Sequence, residues 1–389
     1  MAAVPFLLSI CVSAIVVAEI FDVYGTLWTG SDDIWYLTNA GTVVSSLHST
    51  GGNLSEAWSE LTSVWEGAAW TLAGWPFLLG VISFLFTSDD SPEILHAIAL
   101  SLNASFLSIV LALVFHVLKI SAQRFPKMVL ASFLLLIGDP IVYAGQCLKE
   151  SMLQLSLMLA FISCLKISGR IRVQWIVLGL LGMTGVATTR PAYIPLILLV
   201  LYWIVLGRIR MGSLSKVIFG LVLFAIFGGL FLDYQIRGIE IGKILAGHTR
   251  DAEAGLAMSI YNIPVIGPVL YYAIAPAPPL PWKILSNDRI ITTLLRGVGS
   301  ILWCFATCYV LRGMVKNRLV LKEGLFVASM IMFAGLFMAA VLYGDDPRYK
   351  QTTNVYLAIM LFLTWYNGRL MKNSPGVKAL SGFETPDES

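Results

Sequence analysis

The chain has 389 residues, of which 57% are hydrophobic and 13% charged, with a net charge of +3 and a mean hydropathy of +0.80. That composition excludes an ordinary soluble domain and points to an all-α polytopic membrane protein, because backbone inside lipid must satisfy its own hydrogen bonds. A near-neutral chain whose basic residues fall in short clusters gives no support to nucleic acid as a partner, and the five cysteines follow no disulfide or zinc spacing.

The first apolar stretch, 4–22, lacks the basic start and small-residue cleavage site of a secretory leader and is expected to be a retained span. No Lys or Arg occurs before Lys119, although ten acidic residues do. Basic residues resist translocation, so this region is expected on the non-cytoplasmic face. An outer region of about 23–92 follows the first span. It opens on Ser31-Asp32-Asp33 with Trp35 and Tyr36 behind, and it contains a further apolar stretch at 68–86. Counting that stretch as a span would put Lys119, Arg124 and Lys127 outside. It is expected instead to lie along the interface or re-enter, with Trp58, Trp65, Trp70 and Trp75 at headgroup depth.

Further spans of the roughly 20 apolar residues needed to cross about 30 Å are expected at 93–118, 128–146, 148–165, 174–188, 191–207 and 215–233. After a second outer region, 234–289, come three more, at 290–312, 323–343 and 352–367. The second outer region includes an apolar piece, Ile260 to Ile274, followed by Pro276, Pro278, Pro279 and Pro281, which forbid a regular helix. The expected architecture is a bundle of about ten spans with both termini cytoplasmic, forming one membrane domain over 1–372, and a polar, disordered cytoplasmic tail over 373–389. This arrangement puts 16 of the 26 Lys and Arg inside.

The basic residues left outside run against the topological bias and call for another reason. Lys149, Arg190, Arg348 and Lys350 sit at outer span boundaries, in Cys147-Leu-Lys149-Glu150, Thr189-Arg190-Pro191 and Asp345-Asp346-Pro347-Arg348-Tyr349-Lys350. Folding can gather them at headgroup depth, where an arginine fork suits phosphate oxygens. The plainer reading is pairing with Glu150, Asp345 and Asp346. Asp32 and Asp33, read as the start of a loop, can divide the work of accepting a proton and holding a hydroxyl or a metal ion, against the plainer role of a solvated turn or helix cap. Trp35 and Tyr36 can anchor at the interface or stack on a sugar. Glu150 at a span end is costly unless paired or used. His248 and Arg250 lie in a polar cluster of the second outer region, where the histidine can bind substrate or shuttle a proton. Asp89-Asp90 reads as a cap before the next span, and Asn53-Leu-Ser55 is a formal glycosylation acceptor.

With these residues in hand, the layout resembles the GT-C class of polyprenyl-phosphate-sugar-dependent membrane glycosyltransferases, including protein mannosyltransferase-like and aminoarabinose transferase-like enzymes. The likeness covers most of the chain in layout and few residues in identity. Ser31-Asp32-Asp33-Ile-Trp-Tyr36 is similar to the acidic motif that follows the first span in that class. The stretch from Trp65 to Phe86 is similar to its interfacial helix, and Arg190-Pro191 and Asp346-Pro347-Arg348-Tyr349 to its basic elements near the lipid phosphate. The chain departs from the best-known members in being short, with no soluble C-terminal domain. The resemblance implies transfer of a sugar from polyprenyl phosphate to a glycan, lipid or protein acceptor, with inversion, on the outer face of a bilayer, by default a bacterial inner membrane. Asp32 or Asp33 would be the base, with Glu150 a further acid. Lys149, Arg190, Arg348 and Lys350 would hold the phosphate, and a divalent cation, Mg or Mn, is the one candidate cofactor. A Wzy-type polysaccharide polymerase fits the outer arginines equally well. A flippase or transporter of lipid-linked sugar would instead need mid-span ionisable groups and repeated halves.

Overall fold

The computed structural model describes residues 3–24, 31–63, 73–87, 91–118, 149–167, 172–206, 290–316, 321, 323–343 and 352–373. Every regular element among them is helical: α1 (Ala3–Tyr24), α2 (Ser31–Ser49), α3 (Leu54–Ser63), α4 (Gly74–Phe86), α5 (Pro92–Val117), α6 (Glu150–Ile167), α7 (Val173–Ala187), α8 (Ile194–Leu206), α9 (Ile290–Lys316), α10 (Gly324–Tyr343) and α11 (Asn354–Asn373). A 3-10 turn, Pro191–Tyr193, leads into α8. Three helices, α5, α6 and α9, are long and apolar enough to cross a membrane, and shorter apolar helical stretches lie in α1, α4, α7, α8 and α10. The expected spans 128–146 and 215–233 and the outer region 234–289 lie outside the described residues.

Two packed groups meet along α5. Its first half gives Leu95 and Ala99 to a cluster with Tyr36, Leu37 and Ala40 of α2 and Trp75 and Leu79 of α4. Its second half gives Val110, Leu111 and Val114 to the main core, shared with Leu157 and Phe161 of α6, Ile197 of α8, Met332 of α10 and Tyr356 of α11. Trp303 of α9 stacks on Phe333 and Phe337 of α10, each at 5.9 Å between centroids, and so joins the far side of the bundle. The outer faces of α7 and α9 are apolar: Val173, Val177, Leu180, Phe305 and Val315 are all exposed. Apolar side chains exposed in this number suit the hydrocarbon of a bilayer.

Close approach at glycines sets the helix pairing. A Cβ at Gly182 would meet Ala160 N and Ser156 O of α6 at 2.6 Å, and one at Gly179 would meet Ser163 Cβ at 3.1 Å. Position 182 therefore opposes 156 to 160 while 179 opposes 163, which makes α6 and α7 antiparallel and brings the start of α6 to the end of α7. Gly80 of α4 is held in the same way against Val43 and Ala40 of α2.

The described parts of the first outer region are helical. Gly51 and Gly52 take positive φ, 65° and 92°, which lets the chain turn sharply between α2 and α3. Asn53 Oδ1 then accepts from the amides of Ser55 and Glu56, and its Nδ2 donates to Glu56 Oε2. The residue that reads as a glycosylation acceptor thus serves as an N-cap. The apolar stretch expected over 68–86 appears as α4, which begins only at Gly74 and has 13 residues. Its length of about 20 Å falls short of the roughly 30 Å of hydrocarbon.

Glu19, in the second half of the apolar α1, has a defined partner. Its carboxylate accepts from Ile291 N at 2.6 Å, Thr292 N at 2.9 Å and Thr292 Oγ1 at 2.6 Å. It therefore caps the start of α9 from another helix, satisfying amides that have no partner within α9.

Candidate functional site

Four chain segments meet at one end of the main core: α2 at Tyr36, the first turns of α4 and α6, and the corner between α7 and α8. The corner forms because Pro191 restricts Arg190, which lies at φ −155°, ψ 80°, outside the helical region. Thr188 and Thr189 close the last turn of α7, their hydroxyls donating to Thr184 O at 2.9 Å and Gly185 O at 2.5 Å. The start of α4 docks on this corner, with Gly74 N–H donating to Thr188 O at 3.1 Å. A Cβ at Gly74 would collide with the Thr188 side chain, so the approach requires glycine.

Arg190 reaches from the corner to the start of α6, where its Nη2 lies 3.8 Å from Glu150 Oε1. Lys149 stands immediately before Glu150, and the two residues are only 4% and 3% exposed. Lys149 Nζ lies over the ring of Tyr36, 6.0 Å from its centroid. Tyr36 belongs to the α2–α4–α5 cluster, against which Met152 of α6 also packs. The same side chains thus tie α2 to the start of α6.

Among the described side chains the group carries two cations, Lys149 and Arg190, and one carboxylate, Glu150. The separation of 3.8 Å is longer than a charge-assisted hydrogen bond, which runs about 2.7–2.9 Å. Glu150 Oε2 and the hydroxyl of Ser151 are buried without a hydrogen-bond partner. The first-turn amides of α6 add the partial positive charge of a helix N-terminus. A phosphate oxygen fits this combination of an arginine fork, an ammonium and a hydroxyl.

Of the residues singled out in the sequence, Tyr36, Lys149, Glu150 and Arg190 are brought together. Trp35 lies beside Tyr36, edge-on at 4.9 Å, and is half-buried, so it is the more open ring of the pair. Asp32 and Asp33, expected in a loop, lie in the first turn of α2. A Ser-Asp-Asp start favours helix over loop here, since acidic residues are favourable at the positive end of the helix dipole. They occupy the positions four and three before Tyr36 in the same helix. His248, Arg250, Arg348 and Lys350 lie outside the described residues.

Sequence reasoning passed over Ser151, Thr188 and Gly74. Ser151 adjoins the Lys149-Glu150 pair and was within reach of it, whereas nothing in the sequence links Gly74 to Thr188. Among the described residues no three His, Cys, Asp or Glu side chains gather as a metal site requires. No step proposed below runs through a metal ion.

No protein-family model, curated protein or solved structure matches the chain.

Proposed function

We propose that the protein is a membrane glycosyltransferase of GT-C type that moves a sugar from a polyprenyl-phosphate donor to an acceptor hydroxyl on the extracytoplasmic face. The observation that carries this reading is the meeting of buried Lys149 and Glu150 with the half-buried Arg190 at a helix end, beside the helix whose first turn contains Asp32 and Asp33. The cations and the acids are of the types that a transfer from a phosphate ester to a hydroxyl requires.

In this reading Arg190 and Lys149 hold the donor phosphate, joined by Arg348 and Lys350. The acceptor oxygen attacks the anomeric carbon, and the bond from that carbon to the phosphate oxygen breaks with its electron pair on the phosphate. The acceptor proton passes to the carboxylate of Asp32 or Asp33. Attack opposite the leaving group inverts the anomeric centre. Fixed cations at the leaving phosphate stabilise charge that grows in the transition state, a term that commonly dominates such catalysis. Glu150 orients Arg190 and takes part as a second acid. Trp35 stacks on the sugar, and His248 and Arg250 contact sugar or acceptor. Both termini are cytoplasmic, and the membrane is a bacterial inner membrane.

The test is transfer of labelled sugar from polyprenyl phosphate to a cell-envelope acceptor fraction by the purified chain in lipid. Transfer with inverted configuration supports the reading. Lengthening of a lipid-linked glycan would replace it with a polymerase, and movement of the lipid-linked sugar across the bilayer without transfer would replace it with a flippase.

A further inference from the structure

We propose that Tyr36 is a positioning residue that sets the Lys149 cation, acting through the face of its ring rather than by contact with a sugar. Lys149 is a point charge on a flexible four-carbon stem, and a lysine that is to meet a phosphate at one depth needs something to hold it there. Tyr36 supplies that hold. Its ring lies under the ammonium at 6.0 Å, and an aromatic face attracts a cation over about this distance, more strongly when water is excluded. Both residues are buried, Tyr36 at 6% exposure, so water is largely excluded here.

The ring itself is held. Trp35 meets it edge-on, and Leu37, Ala40, Trp75 and Leu79 pack in the same cluster. A face so enclosed is not available to a sugar, which leaves sugar stacking to Trp35. Asp33 and Asp32 precede Tyr36 by three and four positions in α2, about one helical turn of backbone. The identity of the anion, a polyprenyl phosphate, rests on the glycosyltransferase reading; the hold on Lys149 does not.

The experiment uses the full chain in lipid nanodiscs with its lysines carrying carbon-13 methyl labels, the Lys149 signal being assigned with Lys149→Arg. A methylammonium over a ring face resonates upfield of a free lysine. We expect that shift in the wild type and in Tyr36→Phe, and its loss in Tyr36→Leu. Tyr36→Met, flexible and non-aromatic, replaces the leucine variant should that one not fold.

In the transfer assay the leucine variant should raise KM for the polyprenyl-phosphate donor about fivefold with little change in kcat. The phenylalanine variant should stay within about twofold of wild type, the pattern of a lost binding contact rather than lost chemistry. An upfield signal unchanged by Tyr36→Leu, or a phenylalanine variant as impaired as the leucine one, would overturn the proposal. The expected shifts with no transfer by any variant would sink the glycosyltransferase reading and leave the Tyr36 hold on Lys149 standing.

Discussion

Exchanging Glu150 and Arg190 for glutamine, singly and together, tests whether the buried rim is one electrostatic unit. At 3.8 Å and an effective dielectric of about 20, the attraction between the two charges is about 4 kcal/mol. Removing each charge from water costs a comparable amount, so the pair as a whole adds little to stability. Breaking it is another matter, because the partner stays buried and uncompensated, at about 3–5 kcal/mol. The two halves are unequal. Glu150→Gln removes the carboxylate next to two cations, Lys149 before it in the chain and Arg190 at 3.8 Å, whereas Arg190→Gln leaves Glu150 with Lys149 as its chain neighbour. The glutamate change is therefore expected to cost about 3 kcal/mol or more and the arginine change about 2 kcal/mol. The double variant should cost about 2 kcal/mol less than their sum. Unfolding of the purified chain by increasing denaturing detergent, read as shifts in the midpoint, gives the three values. Additivity within about 0.5 kcal/mol, or a larger loss from the arginine change than from the glutamate change, would refute the electrostatic account of the rim.

Two other expectations concern how the fold delivers these groups. Gly80→Ala places a Cβ 2.6 Å from Val43 Cβ and 2.8 Å from Ala40 O, so α2 and α4 must separate. A loss of about 1–3 kcal/mol is expected, against a neutral Gly324→Ala, whose Cβ meets Trp203 at an ordinary 3.8 Å; equal melting temperatures for the two would show that the close approach is absent. Glu19→Ala removes three hydrogen bonds from the start of α9 and should cost about 1–3 kcal/mol. Glu19→Gln retains one acceptor oxygen and should recover about half of that in the same melt, so an alanine variant as stable as wild type would rule out the cross-helix cap.

Helix existence was legible in the sequence because span length and hydropathy follow directly from the thickness of hydrocarbon. The expected 4–22, 93–118, 148–165 and 323–343 match α1, α5, α6 and α10 within a few residues. The first outer region was less so. Its helices are short and mixed in composition, and α2 begins where an acidic pair reads equally as a loop or a cap. The gathering of Lys149, Glu150 and Arg190 was visible in outline, since cations expected outside against the topological bias need a use, and span boundaries at one face can meet. What could not be read was pairing at a distance. The docking of Gly74 on Thr188 and the tight packing at Gly80 depend on which glycine faces which helix, and hydropathy carries no such information. Glu19 carried another overlooked signal, a carboxylate inside an apolar span, which is costly unless it has a partner.

The most direct test of the central claim compares transfer of labelled sugar from polyprenyl phosphate by wild type, Asp32→Asn, Asp33→Asn and the control Asp89→Asn at matched expression. With one of the first two acids as general base, its asparagine variant should lose transfer by about 10²–10⁴-fold, while Asp89→Asn stays near wild type. Wild-type transfer that survives both Asp32→Asn and Asp33→Asn would contradict the account.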